Sequence, residues 1–215
     1  MTVWAVIVAA GASSRFGRPK AYALLGGRRV VEWSVAAARA IGCGVVLVVP
    51  PERAGDPEPE VDAVVGGGPT RSESVRRGLA SVPADAETVV VHDAARPLAP
   101  ASLFAAVVDA IWAGADGAVP GIPLPDTVKR VGPDGAVVET LDRDQLVAVQ
   151  TPQGFVASVL RSAHVEGLDA TDDAGLVERA GGRVVVVPGE ERNQKLTRPG
   201  DLVVAEARLS DPGGW

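Results

Sequence analysis

Short runs of β-branched residues alternate with longer alanine-rich segments along almost the whole chain. Such alternation marks successive strand–helix units around a mostly parallel sheet, whose strands are buried on both faces and so appear as continuous apolar runs. The pattern predicts strands at 3–9, 45–49, 61–65, 88–91, 118–122 and 183–187. Helices are expected at 30–41, from 70 or 72 onward, and at 100–112, 155–164, 172–180 and 199–209. In the first of them Val31, Val35 and Ala38 recur at helical spacing, and Gly42 and Gly44 are stop signals. The second carries Val75 and Leu79 inward, and the third aligns Leu103, Val107 and Ile111 on one face.

The rhythm breaks twice. Residues 52–60 are rich in Pro, Glu and Asp, which predicts an exposed loop. Between 127 and 149, β-prone pieces at 127–131, 136–141 and 146–149 surround the turn signal Pro133-Asp134-Gly135, which predicts a β-arm inserted in the α/β domain. A single domain over 1–209 is expected, with a frayed tail at 210–215.

Composition sharpens this picture. A chain of 215 residues with 47% hydrophobic and 22% charged residues can bury a substantial core of its own. Aromatics are only 4%, so that core should consist of small β-branched strand residues packed on alanine-rich helices. The net charge of -6 argues against a nucleic-acid-binding surface, which relies on many cationic contacts to phosphate. A small anionic ligand remains open if cations gather locally. Cys43 is the single cysteine, so neither a disulfide nor a thiolate zinc site is expected and a reducing cytoplasm is the natural setting. The apolar stretch 3–10 has no basic region before it, unlike a secretory signal, and no run reaches the roughly 18 apolar residues of a membrane span.

Three segments carry chemistry. The first, Ala9 to Lys20 (AAGASSRFGRPK), follows the opening strand, where small residues let successive backbone N–H groups approach phosphate oxygens. Arg15 and Lys20 add mobile positive charge. The loop matches neither G-x-x-x-x-G-K-[ST] nor G-x-G-x-x-G, which sets aside a P-loop NTPase and a dinucleotide-binding enzyme. The second, Val89 to Pro97 (VVVHDAARP), ends a strand in Asp93, a position suited to holding Mg²⁺ while the metal also binds triphosphate oxygens. Arg96 would brace Asp93 or contact a second substrate. The plainer reading makes Asp93 a turn cap with Arg96 as its surface partner. His92 reads as structural. The third, Gly66 to Gly78 (GGGPTRSESVRRG), opens a helix with N–H groups, hydroxyls and a positive dipole end able to hold a ribose or base edge. Arg76 and Arg77 read as solvated helix-surface charges. PDTVKR, LDRDQL, QTPQGF, ATDD and NQKLTRPGD are each ordinary loop or cap sequence, although Lys195 follows the last strand on the same expected edge as Lys20 and Asp93.

Taken in order, AAGASSRFGRPK, HDAARP, DTVKR, LDR, TPQ, TDD and NQKLTRP resemble the 2-C-methyl-D-erythritol 4-phosphate cytidylyltransferases over nearly the whole chain. The resemblance implies a Rossmann-like nucleotidyltransferase fold, a three-layer α/β/α sandwich with a mostly parallel sheet and a protruding β-arm. It also implies a homodimer in which each arm reaches its neighbour. Arg15, Lys20 and Lys195 would then meet the CTP phosphates, Asp93 would ligand Mg²⁺, and Ala9, Ala10, Gly11, Gly67, Arg71 and Ser74 would surround the cytidine. Arg96, Thr127, Arg143 and Thr171 look like binders of methylerythritol phosphate, Thr127 and Arg143 serving the partner's site from the arm. The chain departs from the family pattern in the short loop before Pro19-Lys20, in Ala21 where many members have Gln, and in Pro69 and Thr70 where acidic residues are common.

The expected reaction is in-line attack of the acceptor phosphate on the α-phosphorus of CTP. A ribitol 5-phosphate cytidylyltransferase is the nearest alternative, though that family tends to HDAVRP where this chain has HDAARP. A nucleotidyltransferase for another base and a non-catalytic nucleotide binder stand further off.

Overall fold

The computed structural model describes residues 2–11, 16–17, 19–165 and 167–210. The chain opens with β1 (Val3–Val8), makes a 3-10 turn at Lys20–Tyr22 and a small hairpin of β2 (Leu24–Leu25) and β3 (Arg28–Arg29), then enters α1 (Val30–Arg39). Strands β4 (Gly44–Val49) and β5 (Ala63–Gly66) precede α2 (Arg71–Ala80), and β6 (Thr88–Asp93) precedes α3 (Ala101–Trp112). From β7 (Gly117–Pro123) the chain leaves for the arm, β8 (Val128–Val131) and β9 (Val137–Leu141), and returns through β10 (Val147–Val149) and β11 (Gln153–Val156). It closes with α4 (Ala157–Ala163), α5 (Ala174–Arg179), β12 (Val184–Pro188) and α6 (Gly200–Ser210).

Strands β5, β4, β1 and β6 are parallel neighbours in that order. Beyond β6 lies β11, antiparallel both to β6 and to β7. β12 pairs in parallel along Gly117–Gly121 of β7, while β11 and β10 pair with the two ends of β7. Because each of those pairings overlaps that of β12, β10 and β11 must share the opposite edge.

The continuous apolar runs find their reason in the core. Ala5 and Ile7 of β1, Val45, Leu47 and Val49 of β4, and Val90 of β6 pack with α1 and α3. The residues between them, Val6, Val46, Val48, Val89 and Val91, pack with α2, α4 and α5. Period-two alternation thus feeds two apolar layers, one on each face of the sheet. A third cluster, with Phe16, Leu25, Val30, Leu196 and Ala205 at its centre, joins the turn at Lys20 to the segment carrying Lys195.

Gly78 illustrates a cost accepted for closeness. A Cβ there would lie 2.5 Å from Val6 Cγ1 and 2.9 Å from Val48 Cγ2. Glycine inside a helix is unfavourable by about 1 kcal/mol against alanine, yet here it lets α2 lie directly on β1 and β4 and brings the start of α2 to the sheet edge.

Two elements depart from the periodicity. The helix expected from Phe155 begins at Ala157, because residues Gln153–Val156 form β11 instead. Phe155 is fully buried, and a Cβ on Gly154 would meet Val107 O at 3.0 Å, so α3 lies tight over this strand. The hairpin β2–β3 is too short to leave a periodic signal. At the other end α6 runs through Ser210, and the rest of the expected tail, 211–215, lies outside the described residues. In the arm β8 pairs with β9 with an irregularity at Arg130/Val131, and nearly all its side chains are exposed.

Candidate active site

Open α/β sheets bind ligands beyond the carboxyl ends of their strands. There the structure has a cavity of about 450 Å³ walled by the residues after β1, the turn at Lys20, the start of α2, the end of β6, and Lys195. A second cavity of about 230 Å³ adjoins it, lined by Arg96, Gln150, Thr151, Gln153, Thr171 and Asp172. Arg71, Asp93 and Lys195 line both. Two compartments therefore meet across a wall of one carboxylate and two cations.

Asp93 is the centre of that wall. Its Oδ1 accepts from Arg71 Nε at 3.1 Å and its Oδ2 from Lys195 Nζ at 2.6 Å. Burial alone would raise this carboxyl, but Arg71 and Lys195 override it and hold Asp93 well below the usual carboxylate range, so it is ionised. The same geometry works on Arg71 in the other sense. Burial would lower it, and Asp173 and Asp93 raise it above its ordinary value.

Behind Asp93 runs a buried hydrogen-bond chain. The Asp93 backbone N–H donates to Thr151 Oγ1 at 3.1 Å, and Thr151 Oγ1 lies 3.1 Å from His92 Nδ1. His92 Nε2 is 3.2 Å from Arg96 O. Since Arg96 O can only accept, the proton belongs on Nε2, and Nδ1 takes the Thr151 hydroxyl proton. Burial pushes His92 down to about 4, so the ring is neutral and anchors the loop after β6. Arg96 does not brace Asp93: its Nη1 donates to Asn193 O at 2.7 Å and its Nη2 reaches Val149 O at 3.4 Å, which ties the loop to the last segment and to β10.

Lys20 donates to Leu196 O at 3.1 Å, and Leu196 N–H donates to Ala95 O at 2.7 Å. One buried leucine thus joins Lys20, Lys195 and the loop after Asp93. Gly67 lets the chain pass close to the first loop, since a Cβ would fall 2.3 Å from Ala10 Cβ and 2.9 Å from Ser74 Oγ. The hydroxyls at the start of α2 are spent internally. Thr70 Oγ1 caps Glu73 N at 3.1 Å, Ser72 Oγ accepts from Ala170 N, and Ser74 Oγ accepts from Gly68 N and donates to Thr70 O. Arg76 and Arg77 are not merely solvated, because they donate to Leu168 O and Gly67 O and so bind down the flanking loops.

The structure brings Ala9, Ala10, Gly11, Lys20, Arg71, Ser74, Asp93 and Lys195 to the larger cavity. Gly67 sits directly behind it, against Ala10 and Ser74. Arg96 and Thr171 line the smaller one. Thr127 and Arg143 line neither; they are exposed on the arm, where Arg143 donates to Pro125 O. Arg15 lies outside the described residues. Thr151, Asn193, His164 and Asp173 are site residues that the sequence does not mark, because one Thr, Asn, His or Asp in a loop carries no signal until the fold supplies its partner.

Among the described residues no group of three or more His, Cys, Asp or Glu is arranged to hold a metal. A single ionised carboxylate suits Mg²⁺ that arrives with a triphosphate, since Mg²⁺ commonly keeps waters and uses one or two carboxylates plus substrate phosphates.

A carboxylate, an arginine and a lysine set between two compartments, with a further lysine in the larger one, at the carboxyl edge of a mostly parallel sheet, are the equipment of a nucleotidyltransferase, which must bring two phosphorylated molecules together. The sequence profile of the family described as "IspD: 2-C-methyl-D-erythritol 4-phosphate cytidylyltransferase" matches residues 3–211, and the chain belongs to that family. It is 48% identical over 228 residues to the 2-C-methyl-D-erythritol 4-phosphate cytidylyltransferase of Streptomyces coelicolor, covering 96% of this chain and 84% of that protein. It is 45% identical to the one of Rhodococcus jostii, covering 97% and 96%. The crystal structure of the Thermus thermophilus enzyme of this name superposes with a TM-score of 0.81 at 38% identity, over 95% of this chain and 98% of that one. The 4-diphosphocytidyl-2C-methyl-D-erythritol synthase of Anaerococcus prevotii superposes at 0.84 with 28% identity, over 97% and 98%.

Proposed function

We propose that the two cavities serve the two substrates of one reaction: transfer of CMP from CTP to 2-C-methyl-D-erythritol 4-phosphate, with release of pyrophosphate, in non-mevalonate isoprenoid precursor biosynthesis. Family membership carries the reaction, and a ribitol 5-phosphate acceptor is not favoured. The observation that supports this use of the site is the convergence of Lys20, Asp93 and Lys195 on one cavity whose wall is also the wall of the second.

An oxygen of the acceptor phosphate attacks the α-phosphorus of CTP in line, a new phosphoanhydride bond forms, and the bond to pyrophosphate breaks. Both reactants are polyanions, so repulsion and orientation form the obstacle and no strong base is needed. Lys20 and Lys195 stand at the phosphates and stabilise the pentacoordinate centre, and the family pattern gives Arg15 the same role. Mg²⁺ held by Asp93 supplies further charge neutralisation when bound. Ala9, Ala10, Gly11, Gly67, Arg71 and Ser74 wall the cytidine, and Arg96 and Thr171 receive methylerythritol phosphate.

Thr127 and Arg143 complete that second site from the arm of another copy in a homodimer. Support comes from Val131, Val137 and Val138 on the arm, all at least 59% exposed, an apolar surface that one chain leaves uncovered. The setting is the cytoplasm; among the described residues no helix is long and apolar enough to cross a membrane.

The test is incubation with CTP, Mg²⁺ and either methylerythritol phosphate or ribitol 5-phosphate, with mass detection of the CDP-linked product. Product from ribitol phosphate alone overturns the acceptor. CTP binding with no pyrophosphate release overturns the enzyme.

A further inference from the structure

The buried charge network does not stop at Asp93. Arg71, the first residue of α2, also donates Nη1 to Asp173 Oδ2 at 2.7 Å, and Asp173 Oδ1 accepts from His164 Nε2 at 3.0 Å. Asp173 is fully buried and His164 nearly so, yet neither lines either cavity. Asp173 occupies the N-cap position of α5 without capping it. That task falls to Asp172, whose Oδ1 accepts from Gly175 N at 3.1 Å. A buried carboxylate is costly unless it is paired, and the helix gives this one no other employment. Its partners are Arg71 and His164, which hold it below the usual carboxylate range against the effect of burial.

The two cations on Asp93 are therefore unequal. Arg71 has a second carboxylate behind it and a side chain 22% exposed, whereas Lys195 has Asp93 and is 40% exposed. Arg71 is the fixture and Lys195 the exchangeable partner. We propose that Asp173 and His164 are positioning residues for nucleotide binding, acting through Arg71. They pin its guanidinium in the wall between the cavities, so that Asp93 exchanges Lys195 and keeps Arg71 when the nucleotide enters. Without the Asp173 charge, Arg71 has only Asp93 to turn to and closes on it, out of place for the nucleotide. This rests on the larger cavity being the nucleotide's.

The test is calorimetric titration of CTP, in EDTA and again with Mg²⁺, into the full chain and its variants, beside steady-state kinetics and thermal melts. Asp173→Asn should weaken CTP binding about tenfold in both buffers and raise KM for CTP while kcat stays within about threefold, the scale of a lost charged hydrogen bond. His164→Gln, which keeps a donor nitrogen for Asp173, should stay within about twofold of the parent, and His164→Leu should follow Asp173→Asn. In an Arg71→Lys background Asp173→Asn should add less than about twofold, because the route is already cut. Should Asp173→Asn fail to fold, the His164 pair decides by the same measure. A lowered melting temperature with unchanged CTP affinity overturns the proposal, as does an undiminished loss in the Arg71→Lys background. A parent chain that binds no CTP overturns instead the reading on which it rests.

Discussion

The wall between the cavities and the β-arm are built on opposite terms. In the wall, Arg71, Asp93 and Lys195 come from α2, the end of β6 and the segment after β12, and each is held by a partner 22 or 102 residues away in the chain. In the arm, hydrogen bonds are local or cross one hairpin, as in Lys129 to Thr140, and the Arg130–Glu139 pair is at least half exposed on both sides. Ion pairs of that kind contribute little in water, while a buried charge left alone is expensive. The wall is thus fixed by the fold of one chain, whereas the arm's exposed residues have little within that chain to hold them.

The largest effect should come from the two lysines of the larger cavity. Lys20→Ala or Lys195→Ala should lower kcat by about 100-fold or more with far less change in KM for CTP, since such contacts count most at the transition state. Steady-state kinetics with the reverse pattern would assign them to ground-state binding. Next, Asp93→Asn takes from Lys195 its carboxylate partner and leaves Arg71 with Asp173 alone, and should cost about 3 kcal/mol of stability in urea unfolding, besides activity. An unchanged midpoint would mean that the wall is not held by its charges.

The pH response probes the same region from behind. His92 is depressed in the native state to about 4, from 6.5 when unperturbed. Over that interval the unfolded chain binds the proton and the folded one does not. The stability from a neutral His92 is therefore fully present above pH 6.5 and lost as pH falls toward 4, by about 3 kcal/mol at most. Unfolding midpoints measured from pH 7 to 4.5 should decline in the parent and flatten in His92→Gln.

The smallest effect on stability belongs to the arm. Thr127→Ala and Arg143→Ala should shift unfolding by no more than about 0.5 kcal/mol and leave CTP affinity alone, while raising KM for methylerythritol phosphate. Mixing Arg143→Ala chains with Lys195→Ala chains should restore part of the activity, because hybrid dimers would contain one intact site. No recovery on mixing would confine the arm to its own chain.

Much of this was legible beforehand, though unevenly. Strands β1, β4, β6 and β7 could be placed to within two residues, because a parallel strand buried on both faces must be a continuous apolar run. β11 escaped, since Gln153, Gly154 and Phe155 make no such run and a helix follows at once. Lys20, Asp93 and Lys195 could be named from charge and from their places after strands. His164 and Asp173 could not, because their meaning lies in Arg71, 93 and 102 positions away.

By itself the sequence determined the layered α/β architecture and the cations and carboxylate available for phosphate chemistry, which follow from local pattern and residue type, and the family, which its motifs resemble when taken in order. Only the tertiary structure decided which cation on Asp93 has a second carboxylate behind it, how His92 and Thr151 hold the loop behind it, and that the arm stands apart from the cleft. Those outcomes depend on burial and on distances between residues remote in the chain, and burial is what turns an ordinary Asp or His into a group that must have its partner.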